Sequence, residues 1–397
     1  MKLFQRLLVA PAALGLMLPM VANASEQIDN TTNRVQELEN NVSAFEAGVF
    51  SGAQTKASGE SIFVIGGIDQ KDSTEESITF HYHHILELES SFTGEDLLLT
   101  AFESGNFGGP FAGEDVALEA NYDSEGSPNT LVMAKMFYQF PIGEDFTVTL
   151  GPKVRQDDIL GVWPSAYPSD TILDVLTYAG ASAAYSLAEG VGVGVSYLSD
   201  SRRWSASALA ISSEGDDATQ GIWKENADDT LTTQLAYLGE RWTIAVANTI
   251  ADAGQNWSEG SSNDQYNAWG VSGIYQIDAG RRPSGDDITL IPSSISGGIG
   301  WKNVVDEDDS LDIEDSRTYS LGVVWTDAFS EGNDFGIAWG TAEDQINDGG
   351  YDDPHAWEIY YAMGIGDNIT VTPAFFKVEK DDAPDYQGVV VKTTFTF

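Results

Sequence analysis

Val389-Val390-Val391-Lys392-Thr393-Thr394-Phe395-Thr396-Phe397 closes the chain. Successive side chains of an extended strand point to opposite faces, so Val389, Val391, Phe395 and Phe397 share one side and Lys392, Thr394 and Thr396 the other. The same period of two recurs upstream. In Arg241 to Thr249, Trp242, Ile244 and Val246 alternate with Arg241, Thr243, Ala245 and Ala247. In Arg317 to Thr326, Tyr319, Leu321, Val323 and Trp325 oppose Thr318, Ser320, Gly322 and Val324. In Leu131 to Phe140, one face reads Val132, Ala134, Met136, Tyr138 and Phe140, and the other carries Lys135 and Gln139.

Runs of this kind, parted by Gly, Asp, Asn and Ser clusters, cover 56–67, 78–92, 95–104, 114–123, 130–140, 145–155, 173–187, 190–199, 202–212, 229–238, 241–250, 265–278, 288–301, 316–326, 333–341, 355–364, 368–379 and 387–397. Some must merge or prove to be loops, which leaves about 16 strands, two either way. A soluble sandwich or propeller would turn the apolar faces into a core; an outer-membrane barrel turns them to lipid and lines a wet lumen with the polar ones. Three features favour the barrel. Many polar faces are built of small residues, as in Gly190, Gly192 and Gly194 or Ser205 and Ser207. Aromatics sit near strand ends, among them Trp204, Trp242, Trp301, Trp325, Trp339 and Trp357. The chain stops on a strand with a terminal phenylalanine, a mark by which outer-membrane barrels resemble one another. The fold expected is therefore all-β, a transmembrane antiparallel barrel with a short N-terminal helix.

Composition agrees with that. There are 62 Asp and Glu against 19 Lys and Arg, a formal net charge of −43, and no cysteine. Phosphate backbones are bound by Lys and Arg, so a nucleic-acid partner is excluded. Disulfides, thiolate metal sites and a Cys nucleophile are excluded as well. At the N-terminus, Lys2 and Arg6 precede an apolar stretch from Leu7 to Leu18 and the small-residue spacing Ala22-Asn23-Ala24, the pattern of a cleaved export signal over 1–24. No later segment offers the roughly 20 apolar residues of a membrane helix. Over 25–50, Ile28, Val35, Val42 and Val49, with Leu38 and Phe45, follow a heptad, so this short helix either packs on its own domain or associates with copies of itself. The barrel domain then spans 51–397.

Four places resemble the cyanobacterial outer-membrane porins, the Som-type relatives of carbohydrate-selective porins. Phe45-Glu46-Ala47 through Ser58-Gly59-Glu60-Ser61-Ile62-Phe63 is similar to that family's junction of helix and first strand. Phe137-Tyr138-Gln139-Phe140-Pro141-Ile142-Gly143, with Phe146-Thr147-Val148 and Gly151-Pro152, is similar to its central hairpin. Ile369-Thr370-Val371-Thr372-Pro373-Ala374-Phe375-Phe376 and Val391-Lys392-Thr393-Thr394-Phe395-Thr396-Phe397 resemble its last two strands, where arginine often stands in place of Lys392. The resemblance implies a trimeric barrel, which makes the 28–49 heptads a periplasmic three-helix stub. The family's usual N-terminal surface-layer-homology domain has no counterpart in the short stretch before the first strand, so wall tethering does not carry over.

No catalytic constellation stands out: there is no phosphate loop, nucleophile elbow or HExxH, and no enzyme activity or cofactor is expected. In His81-Tyr82-His83-His84, His81 and His83 point one way and His84 the other, so at most two can share a ligand set. The acidic runs Asp306-Glu307-Asp308-Asp309 and Asp348 to Asp353 lack the glycine of an EF-hand loop. The informative stretch is Gly151 to Thr171, where Lys153 and Arg155 end a strand, Asp157-Asp158 follow, and Pro164 and Pro168 forbid regular pairing. In porins one such loop folds inward and narrows the lumen. The expected channel-lining residues are Lys153, Arg155, Asp157, Asp158, Lys135 and Lys392, with Lys153 and Arg155 on the wall and 156–171 forming the constriction. Glu103 to Asp115, rich in glycine, is the competing loop. The expected function is passive diffusion of small hydrophilic solutes and inorganic ions, small sugars or iron among them, through a homotrimer set in outer-membrane lipid. The alternatives are a non-conducting structural or adhesive barrel and a soluble acidic β-protein that binds glycans.

Overall fold

The computed structural model describes residues 54–70, 77–108, 111–113, 116–120, 128–169, 171–222, 228–252, 265–277, 291–305, 316–342, 354–379 and 384–397. The export signal, the 28–49 helix and the acidic runs 306–315 and 348–353 lie outside them. Its strands are β1 (Gln54–Gln70), β2 (Thr79–Ser91), β3 (Leu97–Gly105), the two-residue pair β4 (Ala112–Gly113) and β5 (Val116–Ala117), β6 (Val132–Ile142), β7 (Phe146–Arg155), β8 (Glu189–Leu198), β9 (Trp204–Ser212), β10 (Asp229–Leu238), β11 (Trp242–Asp252), β12 (Gln265–Gln276), β13 (Ser294–Val305), β14 (Ser316–Trp325), β15 (Asp334–Thr341), β16 (His355–Gly364), β17 (Ile369–Val378) and β18 (Tyr386–Thr396). One helical turn, α1 (Gln156–Ile159), follows β7.

Sixteen strands close into one antiparallel barrel in chain order, β4 and β5 standing apart. The seam pairs Glu60 with Thr396 through Gln70 with Tyr386. The terminal phenylalanine is part of it: Phe397 and Gly59 exchange both backbone hydrogen bonds, each 3.0 Å long. Closure leaves no strand edge unpaired, the condition for a sheet to cross lipid.

Two expected strands are not in the barrel. Of the described part of 114–123, Val116–Ala117 pairs with Ala112–Gly113 and Leu118 makes an isolated bridge to Leu173, none of it in the barrel. The run 173–187 contains a 3₁₀ turn at Asp174–Leu176 and left-handed backbone at Ala179, Gly180 and Leu187, which breaks an extended chain. Its apolar alternation has another cause, given below.

Outward residues are large and exposed: Leu231, Leu235, Ile244, Val246, Ile250, Val271, Ile299, Leu321, Ile337 and Val389 among many. So wide an apolar surface suits lipid, not water. Aromatics bound it on both sides. Towards the end that carries Phe397, the rings of Phe146 and Tyr197 lie 5.0 Å apart, and Tyr237 touches both Trp204 and Trp242. Towards the other end, Trp269 pairs in register with Trp301 and Trp339 with Trp357. The turn before β3 is held by Asp96, whose carboxylate accepts from Tyr138 Oη at 2.6 Å, Ser91 Oγ at 2.8 Å and the Thr93 amide at 2.7 Å. The Tyr138 hydrogen bond, ahead of those from Thr93 and Ser91, holds the Asp96 carboxyl well below the usual carboxylate range.

Connections at the two ends differ. Those at the Phe397 end are mostly short turns, such as 92–96, 143–145, 199–203, 239–241 and 365–368. Those at the far end, 71–78, 106–131, 156–188, 213–228, 253–264, 306–315, 342–354 and 379–385, carry 35 of the 62 acidic residues and three basic ones.

Candidate functional site: the inward segment and the charged wall

Residues 156–188 do not project from the barrel; they fold into it. The inward faces of β8 to β15 present small side chains: Gly192 and Gly194, Ser205 and Ser207, Thr230 and Thr232, Ala245 and Ala247, Ala268 and Gly270, Gly298 and Gly300, Gly322, Ala338. Small residues leave the volume into which the segment settles. A methyl at Gly298 would meet the Ala179 carbonyl oxygen, one at Gly300 would meet Ala181 at 2.8 Å, and one at Gly322 would meet the Tyr167 ring. This is why Leu173 to Leu187 is so apolar: it is packed inside the lumen, with Leu173, Leu176, Ala181, Ala184 and Tyr185 all buried.

Buried polar groups pin it. Gln156, wholly buried, donates to Thr232 Oγ1 at 2.8 Å and to the Ala184 carbonyl at 3.1 Å, and accepts from the Leu187 amide at 3.2 Å. Across the barrel, Glu358 of β16, also wholly buried, accepts from Tyr167 Oη at 2.7 Å and from the Leu173 amide at 2.6 Å. Ser207 accepts from the Gly161 amide, and Gln234 donates to the Val162 carbonyl. The competing loop joins the same structure. Phe107, Phe111 and Leu118 share one buried cluster with Ile172, Leu173 and the walls of β1 and β14 to β18, and Glu119 N donates to the Ile172 carbonyl at 2.8 Å. Glu119 rises well above its ordinary range, chiefly through burial and then through Asp174 beside it, against Arg155 and Lys392.

The opposite wall is charged. Lys56, Glu60, His81, His83, Glu87, Glu89, Glu103 and Lys135 lie on the inward parity of β1, β2, β3 and β6, as their register with buried Ile62, Val64, Leu99 and Ala101 shows. Lys135 donates to Asp158 Oδ1 at 2.6 Å. Arg155 grips Asp157 with Nε and Nη2, both at 2.7 Å. Thus the expected basic and acidic residues meet as direct ion pairs where the inward segment leaves β7.

Two expected residues sit elsewhere. Lys153 pairs with Glu189 at 3.0 Å, and Glu189 has the outward parity of Val191 and Val193. The reason is a bulge between Gly151 and Val154, which gives the inward position to fully buried Val154. A second irregularity, between Ala101 and Phe102 of β3, leaves Ala134 of β6 as the extra residue; Phe102 pairs with Met133 and Ala101 with Lys135, so Met133 and Met136 are outward on either side of it and the single alternating face read across 131–140 is broken there. Lys392 does point inward, but it is 6% exposed and donates to the Thr171 carbonyl at 3.0 Å. It holds the segment rather than lining open lumen. Gln156 and Glu358 carry no sequence signal, since their partners lie as much as 191 positions away. His81 and His83 do share a face, with Glu103 3.2 Å from His83; among the described residues no group of three or more His, Asp or Glu could hold a metal ion.

No family model matches the chain. It is 25% identical to an uncharacterized protein of Synechocystis sp., over 98% of this chain and 77% of that one. With an uncharacterized protein of Nostoc sp. the identity is 24%, over 94% and 70%. Solved structures settle the architecture. Pseudomonas putida OprB superposes with a TM-score of 0.58 at 12% identity, over 93% of this chain and 97% of that one. The fold is that of bacterial outer-membrane porins. The anion-selective porin from Comamonas acidovorans gives 0.55 at 9% identity, over 87% and 100%. A loop L8 deletion mutant of OmpT, an outer-membrane protein of Vibrio cholerae, gives 0.52 at 8%, over the same shares.

Proposed function

We propose that this chain is an outer-membrane porin, a passive diffusion channel for small hydrophilic solutes and inorganic ions. The observation that carries the reading is the division of the lumen. One wall is built to receive an inward segment, and the other keeps its charges facing the remaining space. Short turns at one end and long connections at the other match periplasmic and external sides, so the Phe397 end is read as periplasmic. The charged constriction is assigned to the place where β2 and β6 face α1, joined there by the Lys135–Asp158 ion pair. There Glu87, Glu89, Asp157 and Asp158 outnumber Lys135 and Arg155, and the far-end connections are strongly acidic in sequence. Fixed charges at a constriction select by field as well as size. The channel accordingly favours cations, most strongly at low salt, where the Debye length exceeds about 10 Å.

Residues 1–24 are read as its export signal and 25–50 as a stub that supports a homotrimer of the Som type. The solutes range from inorganic ions, iron included, to small sugars. A second reading, a non-conducting structural or adhesive barrel, is favoured by one observation: apolar packing of Phe107, Phe111 and Leu173 fills part of the lumen. Purified protein in a planar bilayer decides between them. Stepwise conductance with a reversal potential of cation sign in a salt gradient is the expected result; a silent bilayer, with folded protein shown to be inserted, would select the structural barrel.

A further inference from the structure

The connections at the Phe397 end contain five basic residues, all arginine, whereas the three at the far end are all lysine. The distinction is chemical, because a planar guanidinium pairs bidentately with a phosphate or sulfonate and an ammonium acts as a point charge. Arg203, ending the β8–β9 turn, and Arg241, ending the β10–β11 turn, line one hollow of about 330 Å³ together with Tyr237, Glu240, Trp242 and Tyr275. Arg203 Nη1 donates to Tyr237 Oη at 3.3 Å, which aims the guanidinium. The Tyr237 ring lies 4.9 Å from that of Trp204 and 5.0 Å from that of Trp242.

These rings have the outward parity of Leu235 and Ile244, so the hollow opens to the outside of the barrel at the level of the aromatic row and not to the channel. The acidic member, Glu240, is 87% exposed on its side chain and 3.6 Å from Arg203, a water-facing pair that a better anion displaces. The acid of the β8–β9 turn, Asp200, is engaged with Asp145 of the β6–β7 turn.

We propose that this hollow binds the headgroup of an anionic lipid from the leaflet at the Phe397 end. The headgroup's oxyanion sits on Arg203 and Arg241, and its acyl chains run along Trp242, Leu235 and Ile244. Charge complementarity selects an anion in a chain that is otherwise strongly acidic. The depth, level with exposed Trp204, Trp242 and Tyr275, selects a lipid over a soluble partner. The inference rests on the outer-membrane reading.

Native mass spectrometry of the full chain, purified in mixed micelles of phosphatidylglycerol and phosphatidylcholine, tests it. The wild type should retain phosphatidylglycerol about tenfold more than phosphatidylcholine, and R203A/R241A should lose that preference. R203K/R241K, which keeps charge but not the planar fork, should fall between and guards against misfolding of the alanine variant. Adding millimolar inorganic phosphate should not release the lipid. Equal retention of both lipids by the wild type, an undiminished preference in R203A/R241A, or release by free phosphate would each overturn the proposal. Bilayer conductance of R203A/R241A, expected to equal that of the wild type, is read separately, so failure of lipid binding and failure of the channel reading are distinguishable.

Discussion

The two walls of the lumen follow opposite rules. Along β8 to β15 the inward positions are mostly glycine, alanine, serine and threonine, and the segment 156–188 is buried against them. Along β1, β2, β3 and β6 they include Lys56, Glu60, Glu87, Glu89, Glu103 and Lys135, and away from the Phe107 and Phe111 packing on β1 the space beside them is left to water and solute. A wall of small residues is a receptor for the chain's own loop; a wall of charges is a surface kept for something passing. Small polar faces in a barrel therefore need not mean an open lumen.

The comparison breaks most readily at Glu358. Removing its carboxylate leaves the Tyr167 hydroxyl and the Leu173 amide buried without an acceptor, at a cost of about 3 kcal/mol. E358A should therefore release the segment from β16, seen as a severalfold rise in single-channel conductance and loss of folded barrel at lower temperature on electrophoresis. Next comes G298A, whose methyl collides with the Ala179 carbonyl. Overpacking of this kind costs about 1–3 kcal/mol, and the same two readouts should move in the same direction by less.

The charged wall should answer differently. E87Q/E89Q leaves stability unchanged and lowers the cation-to-anion permeability ratio about two- to threefold at 0.1 M salt, an effect that shrinks at 1 M. Glu119 supplies a pH test. Its carboxyl is raised, so the folded state carries a penalty at neutral pH that is relieved as pH falls through the raised folded value towards the ordinary one near 4.3. E119Q should raise the thermal midpoint at pH 7 and lose that advantage by about pH 4. The smallest effect belongs to K153A. With Glu189 as its partner on the outward parity, it should alter neither conductance nor selectivity.

Strand identity was legible in sequence because period two survives wherever one face meets lipid; the barrel strands lie where alternation puts them. Alternation misled in two ways. Leu173 to Leu187 alternates because it is buried in the lumen, and its 3₁₀ turn and left-handed residues, which the alternation does not show, separate it from a strand. Lys153 was put on the inner wall by a count that a bulge interrupts. Asp157, Asp158, Arg155 and Lys135 could be grouped because three of them are adjacent and the fourth is one hairpin away. Glu358 and Gln156 could not, since a buried anchor is defined by partners brought together only by closure of the barrel.

Because the chain has no cysteine, single thiols can report whether solute passes along the charged wall and not along the small-residue wall. Single-cysteine variants E87C and A268C, each in a planar bilayer, are treated with a water-soluble charged thiol reagent. Current through E87C should fall and current through A268C, whose side chain is wholly covered, should not change. Equal block of both, or block of A268C alone, would contradict the account.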